Sequence, residues 1–247
     1  PVTEAVISVP AYFTEAQRAA TKRAGTLAGL VVERLVNEPS AAALSAHIQE
    51  GADDRVCLVF DLGGGTLDVS LVERFENVVS VTAVSGDNRL GGSDFDLAMA
   101  QAFCQENGMY FYHLTTGQQE MLIRQAETCK IALTTQPMAM MVVSFDDVHA
   151  SLTITNEWLI RKCGRLFKRM TAPIQQVLRD AGLSPQALDE LVLVGGSSHM
   201  PSVRQYISKT LGMEPCQNSR PDTAIALGAG ICAGMKARCA DIRELVL

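Results

Sequence analysis

The sequence predicts an α/β fold, and three observations carry that expectation. Short β-branched runs alternate with segments of helical periodicity along the whole chain. Several of these runs end on paired or tripled glycines, as strands do where they turn into a hairpin or a helix. The 247 residues are 47% apolar and 19% charged, a mixture that builds a sizeable core without a low-complexity linker.

Taken in order, Val6 to Val9 reads as a buried strand closed by Pro10. Thr14 opens a helix, with Gln17 placed to complete a capping box, and Gly29 ends it beyond Leu27. Val31 to Val36 is a second strand. Pro39 sits at a first helical position, and an Ala-rich helix runs from Ser40 towards Glu50. Val56 to Phe60, Leu67 to Val72 and Val78 to Val84 read as an antiparallel meander. Gly91-Gly92-Ser93 caps a helix ending near Gly108, and another helix runs from about Gly117 to Leu133. Met138 to Phe145 and Ser151 to Ile154 predict a second, smaller sheet region. Asn156 then caps a long helical stretch to Gly182 that Pro173 is expected to interrupt. Ser184-Pro185 starts a short helix, Leu191 to Val194 is a buried strand, and Pro201 opens a helix ending at Gly212. Pro221 opens the last helix, whose small residues suit close packing against a sheet.

Charge and composition exclude several functions. With 21 basic and 27 acidic residues the net charge is −6, which disfavours a nucleic-acid backbone or an anionic membrane as the main partner. The seven cysteines show no C-x-x-C spacing and read as small apolar groups in a reducing, cytoplasmic compartment. Four scattered histidines make no zinc site, and no apolar run approaches membrane-spanning length. The start at Pro1, almost directly in a strand, suggests a segment excised from a longer protein.

The chemistry concentrates in Phe60-Asp61-Leu62-Gly63-Gly64-Gly65-Thr66-Leu67-Asp68. Consecutive glycines let a backbone approach a polyanion closely and aim N–H groups at it. The Thr66 hydroxyl can donate to a phosphate. An Asp beside phosphates is repulsive unless a cation intervenes, so Asp61 implies hydrated Mg²⁺, a monovalent ion or an activated water. The bland alternative is a Gly-rich hairpin with a turn-forming Asp. Gly195-Gly196-Ser197 follows a buried strand and reads either as a nucleotide-contact turn or as a plain βα turn. Gly91-Gly92-Ser93-Asp94 reads as a third glycine site or as a helix N-cap. No Walker A pattern, G-x-G-x-x-G after a strand, nucleophile elbow or kinase catalytic loop occurs.

Together these motifs resemble those of the DnaK-type, 70-kDa heat-shock chaperone family. Val9 to Phe13 with Gln17 to Lys22, Asn37 to Ala43, Asp61 to Ser70, Leu90 to Asp96, Val192 to Pro201 and Arg220-Pro221-Asp222 stand in family order over nearly the whole chain. The resemblance suits a divergent bacterial member. It implies an actin-like ATPase (ribonuclease H-like) fold, with an incomplete first lobe and a complete second lobe. Residues 1–50 would be the later part of the first lobe, and 51–88 with 164–220 the base of the second. Residues 89–163 would form its upper subdomain, 221–239 a helix returning to the first lobe, and 240–247 the start of an interdomain linker.

The resemblance also implies roles. Gly63, Gly64, Gly65 and Thr66 would contact the β- and γ-phosphates of ATP or ADP. Asp61 would hold Mg²⁺ through water and sit near the attacking water, with Asp68 in support and K⁺ as a further ion. Gly195, Gly196 and Ser197 would take the α-phosphate and ribose side. Gly92, Glu127, Lys130, Ile131, Thr134, His199 and Asp222 would surround the adenosine. Pro10 and Arg18 resemble a switch that relays nucleotide state, and Glu38 would sense the γ-phosphate end. Without the family, Arg18 and Lys130 read as exposed helix charges and Pro10 as a strand stop. Implied partners are a J-domain co-chaperone, a nucleotide-exchange factor, and unfolded client peptides bound by another domain.

Two positions depart from the family pattern: Ser93 stands where a Glu usually holds the ribose side, and His199 where an Arg often stacks on adenine. The family's first phosphate hairpin and its catalytic Lys precede the aligned region, which points to weak ATP binding and slow hydrolysis by these residues alone. A sugar or acetate kinase of the same superfamily, or an actin-like scaffold without activity, stay open as alternatives. An open edge at Val6 to Val9 is expected to favour dimers or swaps.

Overall fold

The computed structural model describes residues 1–46, 54–75, 78–145, 148–216 and 220–239. Strands β1 (Glu4–Val9) and β2 (Val31–Asn37) pair in parallel, joined by helix α1 (Glu15–Leu27). The α1 capping box forms as its residues require: the Thr14 hydroxyl accepts from Gln17 N–H, and the Gln17 carboxamide accepts from Thr14 N–H at 2.8 Å. Helix α2 (Glu38–Ala46) follows β2 without a loop. The extension of this helix towards Glu50 lies outside the described residues.

The meander forms as expected, from β3 (Arg55–Leu62), β4 (Leu67–Phe75) and β5 (Val78–Asp87). Strand β8 (Glu190–Val194) adds to β3 in parallel, giving the order β5-β4-β3-β8. Alternation on β3 and β8 divides two cores. Leu58, Phe60, Leu62, Leu191 and Leu193 face one, whereas Cys57, Val59, Val192 and Val194 face the other. The second core is closed by α2 and by α8 (Ala224–Lys236), the last helix. A turn at 221–223 precedes α8, so Pro221 stands ahead of the helix instead of opening it. Its small residues meet a helix as well as a sheet: α8 packs on α2 and on β1, and a Cβ on Gly228 would collide with the Ala41 carbonyl oxygen of α2.

The first core extends into a layer built from α3 (Gly92–Glu106), α4 (Thr116–Ala132) and the hairpin of β6 (Met138–Phe145) and β7 (Val148–Thr155). Two further helices, α5 (Asn156–Lys162) and α6 (Gly164–Asp180), lead back to β8, and α7 (Pro201–Leu211) follows it. Three expectations are corrected here. Thr155, not Asn156, caps α5, because its hydroxyl accepts from Trp158 N–H at 3.2 Å. The long stretch breaks at Cys163, which serves both as C-cap of α5 and N-cap of α6. Pro173 lies inside an unbroken α6, where its buried ring contributes to the packed face. A missing N–H costs a helix one bond, and burial of the ring and its neighbours offsets that cost.

Candidate functional site

The Asp61–Asp68 hairpin is drawn in tightly at its base. Gly63 N–H donates to the Thr66 carbonyl at 3.0 Å. Two neighbouring turns hold the hairpin from outside. Gly92 N–H donates to Gly63 O at 3.0 Å and Ser93 N–H to Gly64 O at 2.8 Å, while Ser197 Oγ donates to Gly63 O at 2.9 Å. Glycine is needed at two of these contacts. A Cβ on Gly91 would stand 2.3 Å from Gly65 N, and one on Gly195 (φ +84°) would stand 2.4 Å from Leu62 O. Gly64, Gly65 and Thr66 themselves are exposed, and nothing lies within 4 Å of a Cβ built on Gly64 or Gly65. The tip is thus open to solvent on the Cβ side of Gly64 and Gly65, while the turn is held from the other side by Gly91 and Ser93.

A cavity of about 260 Å³ opens on one side of the hairpin. Asp61, Asp68 and Glu38 line it together with Pro10 and Tyr12. Burial, and then the charges of Asp61 and Asp68, push the Glu38 carboxyl up to about 7. Burial, and then Asp68, push Asp61 up to about 6. Burial also raises Asp68, against a hydrogen bond from the Thr66 side chain that lowers it. Three carboxylates thus share one partly desolvated wall.

A second cavity of about 270 Å³ lies beyond Gly64. Gly92, Glu127, Lys130, Ile131, Thr134, Gly196 and Ser197 line it, so the residues expected around a nucleoside come together from α3, α4 and the turn after β8. Lys130 is not an exposed helix charge: it is buried, its ammonium 2.7 Å from the Asp96 carboxylate and 2.9 Å from Gly92 O. His199 and Asp222 instead pair with each other, His199 Nε2 to an Asp222 oxygen at 2.9 Å, and neither lines this cavity. Arg18 does not line the first cavity. Its guanidinium donates to Phe13 O at 3.1 Å, Ala11 O at 3.3 Å and Asn37 Oδ1 at 2.7 Å, tying the turn after Pro10 to the residue before Glu38.

Sequence reasoning missed Tyr12 and Asp96. The signal for Asp96 was its place four residues after Gly92, on the inner face of α3. Tyr12 carried only its neighbourhood to Pro10, and its place becomes visible only when Asp68 and Glu38 are seen opposite it.

Comparison with known proteins decides the family. The model described as Hsp70 protein matches residues 1–247. The chain belongs to the Hsp70 family. "Chaperone protein DnaK 1" of Synechococcus sp. is 42% identical over 257 residues, covering 100% of this chain and 34% of that protein. "Chaperone protein DnaK" of Thermus thermophilus is 41% identical over 260 residues, covering 100% of this chain and 41% of that protein. This Hsp70 chain therefore spans between about a third and two fifths of the length of the curated relatives it matches. With the family comes the actin-like ATPase fold, in agreement with the α/β architecture, and the kinase alternative is not favoured. Hsp70 proteins bind ATP and ADP and hydrolyse ATP. Among the described residues no helix is long and apolar enough to cross a membrane.

The residues present fit those ligands. The exposed glycine tip, set in turns that exclude any Cβ at Gly91 and Gly195, leaves room for a polyphosphate against backbone N–H groups. Glu38, Asp61 and Asp68 offer only hard oxygen donors, the set a hydrated Mg²⁺ prefers.

Proposed function

We propose that these residues form part of the ATP-binding and ATP-hydrolysing unit of a cytoplasmic chaperone, in which nucleotide state governs capture and release of unfolded peptides. One observation carries the reading: the exposed Gly63–Thr66 tip stands between a carboxylate-lined cavity and a nucleoside-sized one. Gly64, Gly65 and Thr66 would hold the β- and γ-phosphates by backbone N–H and hydroxyl donors. Asp61 would orient the attacking water by accepting its hydrogen bond, and Asp68 would hold the Thr66 hydroxyl in register. Mg²⁺, when bound through water to Asp61, supplies the positive charge that three carboxylates and a polyphosphate together require. K⁺ would suit the same oxygen donors. Gly92, Glu127, Lys130, Ile131, Thr134, Gly196 and Ser197 would hold the nucleoside, with Gly195 shaping the turn and the His199–Asp222 pair at its margin.

The relay has a geometric basis. Arg18 binds the carbonyls that follow Pro10 and also Asn37, and Asn37 precedes Glu38 on the cavity wall. A shift of Glu38 on nucleotide binding would be felt at the Pro10 turn through that guanidinium. The lobe boundaries read from the sequence suit this arrangement, because α8 packs on α2 and extends to β1. A J-domain co-chaperone, a nucleotide-exchange factor and client peptides are the partners that follow. The β1 edge opposite β2 offers a route to self-association, tested by light scattering of a polypeptide of these 247 residues.

Titration of that polypeptide with Mg·ATP tests the site. Weak, Mg²⁺-dependent binding that is lost in Gly64→Val supports it. Binding indifferent to Gly64→Val would refute the hairpin as the phosphate site. Release of bound peptide on ATP addition, in the longer protein, tests the chaperone cycle.

A further inference from the structure

The second cavity has an unusual charge balance. Its lining carries one cation, Lys130, and two carboxylates, Asp96 and Glu127. Lys130 and Asp96 are both buried, at 8% and 4% exposure, and lie in contact at 2.7 Å. A second ammonium N–H goes to Gly92 O at 2.9 Å, on the residue whose own N–H holds Gly63 O. Both Asp96 oxygens lie 2.7 Å from the ammonium, which stands on the wall of the cavity that Lys130 lines.

From this geometry we infer that Asp96 is a positioning and specificity-determining residue: it fixes the Lys130 ammonium and neutralises it, so the cavity takes the uncharged nucleoside and leaves phosphate to the glycine hairpin. The inference rests on the nucleotide reading above and deepens it. Its physical basis is a contrast between two anion environments. A free buried ammonium is a strong phosphate site, able to draw a polyphosphate away from the hairpin. Paired with Asp96, and with Glu127 one turn away on α4, the same ammonium belongs to a lining of net charge −1 that disfavours phosphate. Held in place by Asp96 and Gly92, it is a positioned but compensated charge that suits a neutral acceptor such as a ribose hydroxyl. Without Asp96 the ammonium would lose that position, and Gly92 would lose a fixed partner beside the phosphate turn.

Two ligand halves separate this role from a general structural one. Adenosine and pyrophosphate would be titrated separately into the 247-residue chain by NMR, which reads weak affinities, alongside ADP. Asp96→Asn is expected to weaken adenosine about tenfold, the effect of one charge-assisted hydrogen bond, without weakening pyrophosphate. Asn leaves Lys130 buried and unpaired, which risks the fold. The double variant Asp96→Leu with Lys130→Met removes the pair and keeps an apolar wall. It should show the same adenosine loss with pyrophosphate unchanged. Unchanged adenosine binding in a folded variant, or a parallel loss of both ligands, would overturn the inference alone. No binding of ADP to the wild-type chain would overturn the nucleotide reading, and this inference with it.

Discussion

Asp61 and Asp68 stand directly opposite each other on the β3–β4 ladder, two acidic side chains at paired positions of one hairpin. Like charges in that relationship destabilise a sheet, by roughly 0.2–1 kcal/mol for an ordinary pair. Here partial burial aggravates it, since desolvation raises both groups. Sheet stability gives no reason for the pair, whereas a cation-dependent site does. Asp61→Asn should therefore stabilise the ligand-free chain by up to about 1 kcal/mol in urea unfolding, while abolishing measurable ATP hydrolysis. A variant that loses stability instead would show that the pair is held by interactions other than those described.

The same cluster makes stability depend on pH. Glu38 and Asp61 are raised to about 7 and about 6, above the values of an unfolded chain. The folded state thus binds more protons than the unfolded state between about pH 4 and 7. The cluster's contribution is fully present below the unfolded values and is lost as pH rises through 6 and 7. Thermal unfolding followed from pH 5 to 8 should show this decline, and Glu38→Gln should flatten its upper part. Mg²⁺ should also flatten it, by favouring the ionised carboxylates in the folded state. A decline of equal slope in Glu38→Gln would assign it to other groups.

Glycines around the hairpin divide into two kinds. Gly91 is extended (φ −158°), so its backbone asks for no special residue, but its Cβ would meet the backbone of Gly64 and Gly65. Gly64 has open space around it. Gly91→Ala should cost about 1–3 kcal/mol of folding stability, as overpacking does. Gly64→Ala should leave stability within about 1 kcal/mol and still weaken Mg·ATP, because its methyl group occupies the surface a phosphate would approach. Denaturant midpoints and calorimetric titration of both variants check the pair.

Local signals made much of this architecture readable. Thr14 and Gln17 announce α1, and the unbroken apolar run Val56 to Phe60 announces a strand, which the structure buries on both faces. What escaped depended on partners far along the chain. Pro173 reads as a break, yet α6 is continuous because that face is buried by the first core. Helix α4 begins at Thr116, one residue ahead of the expected Gly117, because Thr115 and Gln118 form a capping box there. At the site, the glycine turns were legible because steric need leaves a mark on sequence. Asp96 was not, since its role exists only where Lys130, 34 residues away, comes to meet it.

Helix α8 offers a comparison within a few residues. Gly228 lies against α2 so closely that a Cβ would collide with Ala41 backbone atoms, whereas Gly230 is exposed with nothing within 4 Å. Helix propensity alone predicts that Ala at either position gains about 0.5–1 kcal/mol. Packing reverses the sign at one of them. Gly230→Ala should raise the unfolding midpoint, and Gly228→Ala should lower it, with a cost of about 1–3 kcal/mol from forcing α2 and α8 apart. Because α2 begins at Glu38, that displacement should also reach the carboxylate wall. Gly228→Ala is therefore expected to weaken Mg·ATP binding without touching the nucleotide, and Gly230→Ala to leave it unchanged. Equal effects of the two on affinity would mean that the α2–α8 contact does not set the position of Glu38.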